Sequence, residues 1–286
     1  MPKRAFQLFD PAELRSGVVF ASPHSGADYP SSFLDQTILD AHLIRSSEDA
    51  FVDQLFGCAP DFGAPLLTAA APRAFIDMNR ARDELDPALI AGVKRQGHNP
   101  RVASGLGVIP RVVANGRPIY RGKLPMSEAE RRISGYWQPY HQAVQNLMSR
   151  ARRQFGQAIL IDCHSMPHEA IEAMAARGPR APEVVLGDRF GAAAAPGIMD
   201  RIEAAFAAAG LTVSRNAPFA GAYITQAYGR PSRNQHAVQV EIDRSLYMDE
   251  AQIRPNGNFK QLQALLRRVV AEIAGIGGAE LPLAAE

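Results

Sequence analysis

The chain has 286 residues, 47% of them hydrophobic and 21% charged, which is ordinary for a folded globular protein and excludes a disordered chain or a fibrous repeat. Lys plus Arg number 31 and Asp plus Glu 29, a net charge of +2 with no basic stripe interleaved with aromatics, so no nucleic-acid partner is expected. No apolar run approaches the roughly 20 residues of a bilayer span, and no apolar core of a signal peptide follows Met1–Phe6. A cytoplasmic protein with no membrane partner is therefore expected, and the two cysteines, Cys58 and Cys163, are too few for a disulfide framework.

Strands and helices alternate along the chain. Residues 17–22 form a short apolar run closed by Pro23, the pattern of a buried strand. Residues 35–57 carry Leu39, Leu43, Ile44, Phe51, Val52 and Leu55 at helical spacing. Strands are expected at 65–70 and 74–78. Ser127 with Glu130 has the form of a capping box, opening a long helix to about Phe155 that Gly135 and Pro139 bend. Strands follow at 158–162 and 184–187. The Ala192–Ala195 run reads as helical, and a helix over 196–209 has Gly210 to close it. Strands at 211–214 and 237–242 and an amphipathic helix over 259–273 complete the chain. Gly and Pro are evenly spread, with no repeat or linker, so a single domain over 1–286 is expected. Buried strands alternating with helices imply a layered α/β fold.

In such sheets active sites gather beyond the carboxyl ends of strands. Three strand ends carry unusual chemistry: Ser22-Pro23-His24-Ser25-Gly26, Asp162-Cys163-His164-Ser165, and Glu241-Ile242-Asp243-Arg244. Two histidines and one or more carboxylates would meet at one sheet edge, and such a set forms an open zinc site. His42, His98, His141, His168 and His236 take the ordinary reading of surface or satisfied core residues. Alternation puts Cys163 on the face opposite His164, in the core, and Asp162 on the same face as His164. It likewise groups Gln239, Glu241 and Asp243 against Val240 and Ile242. Taken alone, Glu241 reads as a structural carboxylate paired with Arg244 or another surface cation.

The segment from Arg73 to Arg82 frames an apolar run with guanidinium groups, suited to a carboxylate ligand or to pairing with Asp83, Glu84 and Asp86. No Walker A sequence and no G-x-S-x-G elbow exists, and Gly105-Leu106-Gly107 lacks the rest of a dinucleotide fingerprint.

The stretches SPHSGADYP (22–30), SSEDAFVDQLF (46–56), PRAFIDMNRARDELDP (72–87), YWQPYH (136–141), LIDCHSMP (160–167), NAPFAGAYITQAYGRP (216–231) and QVEIDRSLYMDE (239–250) together resemble the N-formylglutamate amidohydrolase family. GLGVIPRVV (105–113), IYRGKLP (119–125) and VVLGDRFG (184–191) extend the resemblance, in one order, over nearly the whole chain. That family is similar in turn to zinc carboxypeptidases and aspartoacylases. The resemblance implies a three-layer α/β fold with a central mixed sheet flanked by helices. It also implies Zn2+ as cofactor and a small N-acyl amino acid as substrate.

Carried over residue by residue, the resemblance makes His24 and His164 zinc ligands. It places the acidic ligand on Glu48-Asp49, where Asp49 is chosen, with Asp28 as an alternative. Position 27, which relatives with H-x-x-E would use, is Ala27. Glu241 becomes the catalytic acid–base and Arg73 the polariser of the scissile carbonyl. Asn79 and Arg80 hold the substrate carboxylate, and Tyr223 closes over it. The family often has a second glycine where this chain has Ala222. The implied reaction is hydrolysis of N-formyl-L-glutamate to formate and L-glutamate, as in histidine degradation. The alternatives are a zinc deacylase for another N-acyl amino acid and a non-enzymatic binding protein of the same fold.

Overall fold

The computed structural model describes residues 4–94, 99–175 and 181–278, so His98 lies outside the described residues. The central sheet comprises β1 (Phe6–Phe9), β2 (Val18–Ser22), β3 (Leu66–Ala69), β4 (Ala158–Met166), β5 (Val184–Gly187), β6 (Val213–Arg215) and β7 (Gln235–Asp243). Their spatial order is β1-β3-β2-β4-β7-β5-β6. The pairs β2–β3, β2–β4, β4–β7 and β5–β6 are parallel, while β1–β3 and β5–β7 are antiparallel. The sheet is therefore mixed.

The helices used below are α1 (Pro100–Ala103), α2 (Met126–Arg132), α3 (Gln138–Phe155), α4 (Pro196–Ala208), α5 (Tyr223–Tyr228) and α6 (Phe259–Ile276). The period of two along each strand sorts the core into two layers. Ile159, Ile161 and Cys163 of β4 join Met199 of α4 and Leu266 and Val270 of α6. Ala158 and Leu160 join Tyr140, Val144 and Leu147 of α3 on the other face. Helices thus cover both faces, giving three layers. The α3 face changes character along the strands. In β4 it runs Ala158, Leu160, then Asp162 and His164; in β7 it runs Ala237, then Gln239 and Glu241. The apolar half makes core and the polar half makes a site.

Several expectations fail for identifiable reasons. The helix over 35–57 is replaced by a 3-10 turn at Leu43–Arg45 and one α-turn at Val52–Leu55. Asp40 Oδ1 captures the amides of His42 and Leu43, and Phe51 adopts a left-handed φ of 67°. The strand expected at 74–78 is a turn-rich loop, although Ala74, Phe75, Ile76 and Met78 are buried. Side chains replace a strand partner there. Arg132 Nη1 donates to Phe75 O (2.9 Å), His141 Nε2 bonds Met78 O (2.9 Å) and Trp137 Nε1 donates to Arg80 O (2.9 Å). Buried carbonyls need partners, and here helix side chains supply them.

Ser127 is not a cap: α2 starts at Met126 after Pro125 and has no side-chain cap bond. A π-helical segment at Ile133–Trp137, around Gly135, joins α2 to α3. The Ala192–Ala195 run precedes α4 rather than joining it, because Pro196 suits a first helical position. β4 and β7 continue past their apolar runs, since they pair residue by residue up to Met166–Asp243. The exposed edge strand β1 adds an element with no counterpart among the expected strands. No helix among the described residues is long and apolar enough to cross a membrane.

Candidate active site

β2 ends at Ser22, and the chain then turns tightly against the end of β3. Gly26 makes this possible: a Cβ there would lie 2.3 Å from Ala71 O. The turn leaves His24 buried beyond the strand end. The amide of Asp49 donates to His24 O (3.1 Å), which brings the irregular 46–51 segment alongside. His164 lies within β4, two residues before its end.

These three side chains converge. Asp49 Oδ2 lies 2.9 Å from His164 Nδ1 and 3.4 Å from His24 Nδ1, and the two rings are 4.7 Å apart. One ligand atom from each residue lies within 4.8 Å of the others. The opposite ring nitrogens face carboxylates: His24 Nε2 is 2.7 Å from Asp77 Oδ1, and His164 Nε2 is 3.0 Å from Asp162 Oδ1. Such carboxylates fix the tautomer that leaves Nδ1 as a lone-pair donor.

His24 Nδ1 is buried without a hydrogen-bond partner among the described residues. Two imidazole nitrogens, one of them the orphaned His24 Nδ1, and one carboxylate oxygen fit a metal ion. Glu48 faces elsewhere, paired with Arg45 (3.0 Å) and accepting from the Tyr29 hydroxyl (2.5 Å). Asp28 is not a member of the trio. Asp49 is further held through Oδ1 by Arg244 Nη2 at 2.9 Å, a contact sequence reading missed by assigning Arg244 to Glu241.

Glu241 sits level with His164 on the neighbouring strand β7 and stays outside the trio. Its Oε1 accepts from Gln239 Nε2 (2.8 Å). The two buried carboxylates behave oppositely. Burial pushes Glu241 up to about 7, against the pull of His164. Burial also opposes ionisation of Asp49, but the His164 and His24 imidazoles beside it hold it well below the usual carboxylate range. Separated carboxyl environments of this kind suit separate roles.

Arg73, Arg80 and Asn79 follow β3 in the loop braced by Trp137 and His141. Arg73 Nε donates to Asp77 Oδ2 (3.1 Å) and its side chain is 26% exposed. Burial disfavours its charge, but Asp77, Asp49 and Glu241 outweigh this and raise its pKa. Arg80 is buried, with Nε donating to Leu106 O (2.9 Å). Asn79 is a brace more than a free hand. Its Oδ1 accepts from Ile224 N (2.7 Å), and its Nδ2 lies 3.1 Å from both Asp162 Oδ2 and His164 Nε2.

Tyr223 does not join the others. It opens α5 with its ring against Trp137 (5.9 Å) and His141 (5.4 Å), away from the cavity. The preceding residues, Pro218 to Ala222, line the cavity instead. Gly221 has the left-handed φ of 104° in this loop, while Ala222 has φ −115° and needs no glycine. The cavity holds about 700 Å³ and is lined by His24, Asp49, Arg73, Arg80, His164 and Glu241 among others.

The remaining described histidines keep ordinary surroundings. His141 is buried and bonded to Met78 O and the Tyr228 hydroxyl, and burial pushes it down to about 4. His168 is half-buried and bonded to Asp243, His236 accepts from Ala195 N, and His42 is exposed. Cys163 packs in the core and Cys58 is a second free thiol.

The profile of the N-formylglutamate amidohydrolase family matches residues 16–248. N-formylglutamate deformylase of Pseudomonas aeruginosa is 30% identical over 262 residues, covering 91% of each chain. The enzyme of the same name from Pseudomonas putida is 30% identical over 241 residues, covering 83% of this chain and 84% of its own. The crystal structure of N-formylglutamate amidohydrolase from Ralstonia eutropha JMP134 superposes with a TM-score of 0.88 at 36% identity, over 95% of this chain and 98% of that one. With these matches, the chain belongs to the N-formylglutamate amidohydrolase family.

Proposed function

We propose that this chain hydrolyses N-formyl-L-glutamate to formate and L-glutamate, as in histidine degradation, with one zinc ion held by His24, Asp49 and His164. The whole of residues 1–286 acts as one catalytic unit, in the cytoplasm. Bound zinc supplies Lewis acidity, which draws the pKa of water toward 7 and polarises a carbonyl. Glu241 takes the proton from the attacking water and returns it to the leaving amine nitrogen. Arg73 donates to the formyl oxygen as negative charge grows there, with Asp77 keeping its guanidinium in place. Arg80 grips a substrate carboxylate, its guanidinium anchored on Leu106 O. Asn79 acts through others, linking Asp162, the carboxylate that orients His164, to Ile224 at the start of α5.

The observation that carries this reading is one cavity holding the His24–Asp49–His164 trio, Glu241 level with His164 but outside the trio, and two arginines. Formate release by the zinc-loaded protein from N-formyl-L-glutamate, beside N-acetyl- and N-formimino-L-glutamate, tests it. Glu241→Gln keeps the shape of the side chain and removes the base. It is expected to retain zinc and lower kcat by roughly 10²–10⁴, with Asp243→Asn as the milder control on the same strand face. Near wild-type turnover in Glu241→Gln would remove Glu241 from the chemistry. Absence of formate release from every N-formyl amino acid tried would sink the whole reading.

A further inference from the structure

One charged side chain on the cavity wall has no part in the scheme above. Arg101 lies on α1 and lines the same cavity as the trio. The other cavity arginines have anchors: Arg244 on Asp49, Arg73 on Asp77, and Arg80 on Leu106 O. Among the described residues, no carboxylate pairs with Arg101. Its charged neighbours are already engaged. Arg111 Nε donates to Asp86 Oδ2 (2.7 Å), and Glu84 accepts from Ala81 N (3.0 Å) and Asn99 Nδ2 (3.2 Å).

The backbone under Arg101 is well tied. Asn99 Oδ1 accepts from Arg101 N (3.0 Å) and Val102 N (3.3 Å), and the same Asn99 side chain is held by Glu84. Leu106 then links the two guanidinium carriers: its amide donates to Arg101 O (2.8 Å) while its carbonyl accepts from Arg80 Nε (2.9 Å). The two arginines are thus held by opposite ends of one residue. They also feel each other: burial is the main reason that Arg80 has a lowered pKa, and the positive charges of Arg101 and Arg73 add to it. Around Arg80, three guanidinium groups, its own and those of Arg101 and Arg73, stand against two carboxylates, Asp77 and Glu84.

We propose that Arg101 determines specificity by taking the second carboxylate of a dicarboxylic amino acid, the γ-carboxylate, while Arg80 takes the carboxylate beside the scissile amide. A substrate with one carboxylate leaves Arg101 uncompensated, so the wall selects acidic side chains. The identity of the reacting group rests on the function proposed above, whereas the binding of a dicarboxylate does not.

The test is calorimetric binding of L-glutamate and L-norvaline to the zinc-loaded full chain. L-Norvaline keeps the side-chain length and replaces the γ-carboxylate by a methyl group. The wild type is expected to prefer L-glutamate by about 10–100-fold, the range for one charge-assisted contact. Arg101→Ala should erase that preference by weakening L-glutamate alone, with L-norvaline affinity kept within about threefold and zinc content unchanged. Arg101→Lys should recover part of it, retaining charge without the fork. Preference surviving in Arg101→Ala, equal weakening of both ligands, or a wild type that binds both alike or neither would each overturn the assignment. Formate release is read in parallel. A wild type that selects L-glutamate through Arg101 but releases no formate refutes the proposed reaction and leaves the specificity wall standing.

Discussion

Two buried polar clusters share the loop from Pro72 to Arg80, and they are built on opposite principles. Behind the loop, Arg132 is fully buried and every direction of its guanidinium is answered. Glu128 (2.7 Å), Phe75 O (2.9 Å) and the Tyr120 hydroxyl (2.7 Å) accept from it, and the ring of Phe75 lies 4.1 Å beneath it. In front of the loop, His24 Nδ1 is a buried side-chain atom without a hydrogen-bond partner among the described residues. A satisfied buried cation is architecture. A buried ring nitrogen left without a partner beside a carboxylate and a second imidazole marks a place prepared for something else. The loop between them has no regular structure, so the rear cluster is what holds the front one in shape.

The largest expected effect is at the front. His164→Ala, or His24→Ala, should reduce bound zinc from about one per chain to near zero and abolish formate release, read by metal analysis and a formate assay. Full zinc occupancy in both variants would move the metal elsewhere and collapse the contrast between the clusters.

Next comes the rear cluster. Arg132→Ala leaves Phe75 O and the Tyr120 hydroxyl without their donor and should cost about 3–5 kcal/mol of folding stability, measured by denaturant unfolding. Among molecules that remain folded and zinc-loaded, kcat should stay within a few-fold of wild type. A large loss of kcat with stability intact would instead make Arg132 part of the chemistry.

The smallest effect sharpens the boundary between the two. Asp77 stands on the shared loop and braces the front cluster, bonding His24 Nε2 (2.7 Å) and accepting from Arg73 Nε (3.1 Å). Burial opposes its charge, but His24 and Arg73 hold it well below the usual carboxylate range. Asp77→Asn removes the charge that sets the His24 tautomer, and should weaken zinc affinity or activity by about 10–100-fold while leaving stability closer to wild type than Arg132→Ala does. Zinc titration against a competing chelator separates this outcome from a simple folding defect.

The sequence by itself carried the strands that bear His164 and Glu241. A period of two in a buried run places Cys163 in the core and Asp162, His164, Gln239 and Glu241 on one face, and the structure keeps that sorting. His24 was legible because a strand must end at Ser22-Pro23. The helices over 196–208 and 259–276 were legible to within a few residues at their ends, and the stretch from Ser127 to Phe155 was legible as one long helix, which the structure divides into Met126–Arg132, a π-helical segment and Gln138–Phe155. What the sequence could not decide lies on irregular backbone. Glu48 and Asp49 offer the same chemistry one residue apart. Only the packing of the 46–51 segment against His24 turns Asp49 inward and gives Glu48 to Arg45. Asn79 and Tyr223 stand in the right motifs, yet one is engaged as a brace and the other faces Trp137 and His141. Asp77, Arg101 and Arg244 acquire their places only when loops far apart in the chain meet. In strands, direction follows from local geometry that each residue repeats. In these loops it is set by hydrogen bonds from distant side chains such as Arg132, Trp137 and His141, and no local pattern encodes a partner that arrives from elsewhere in the chain.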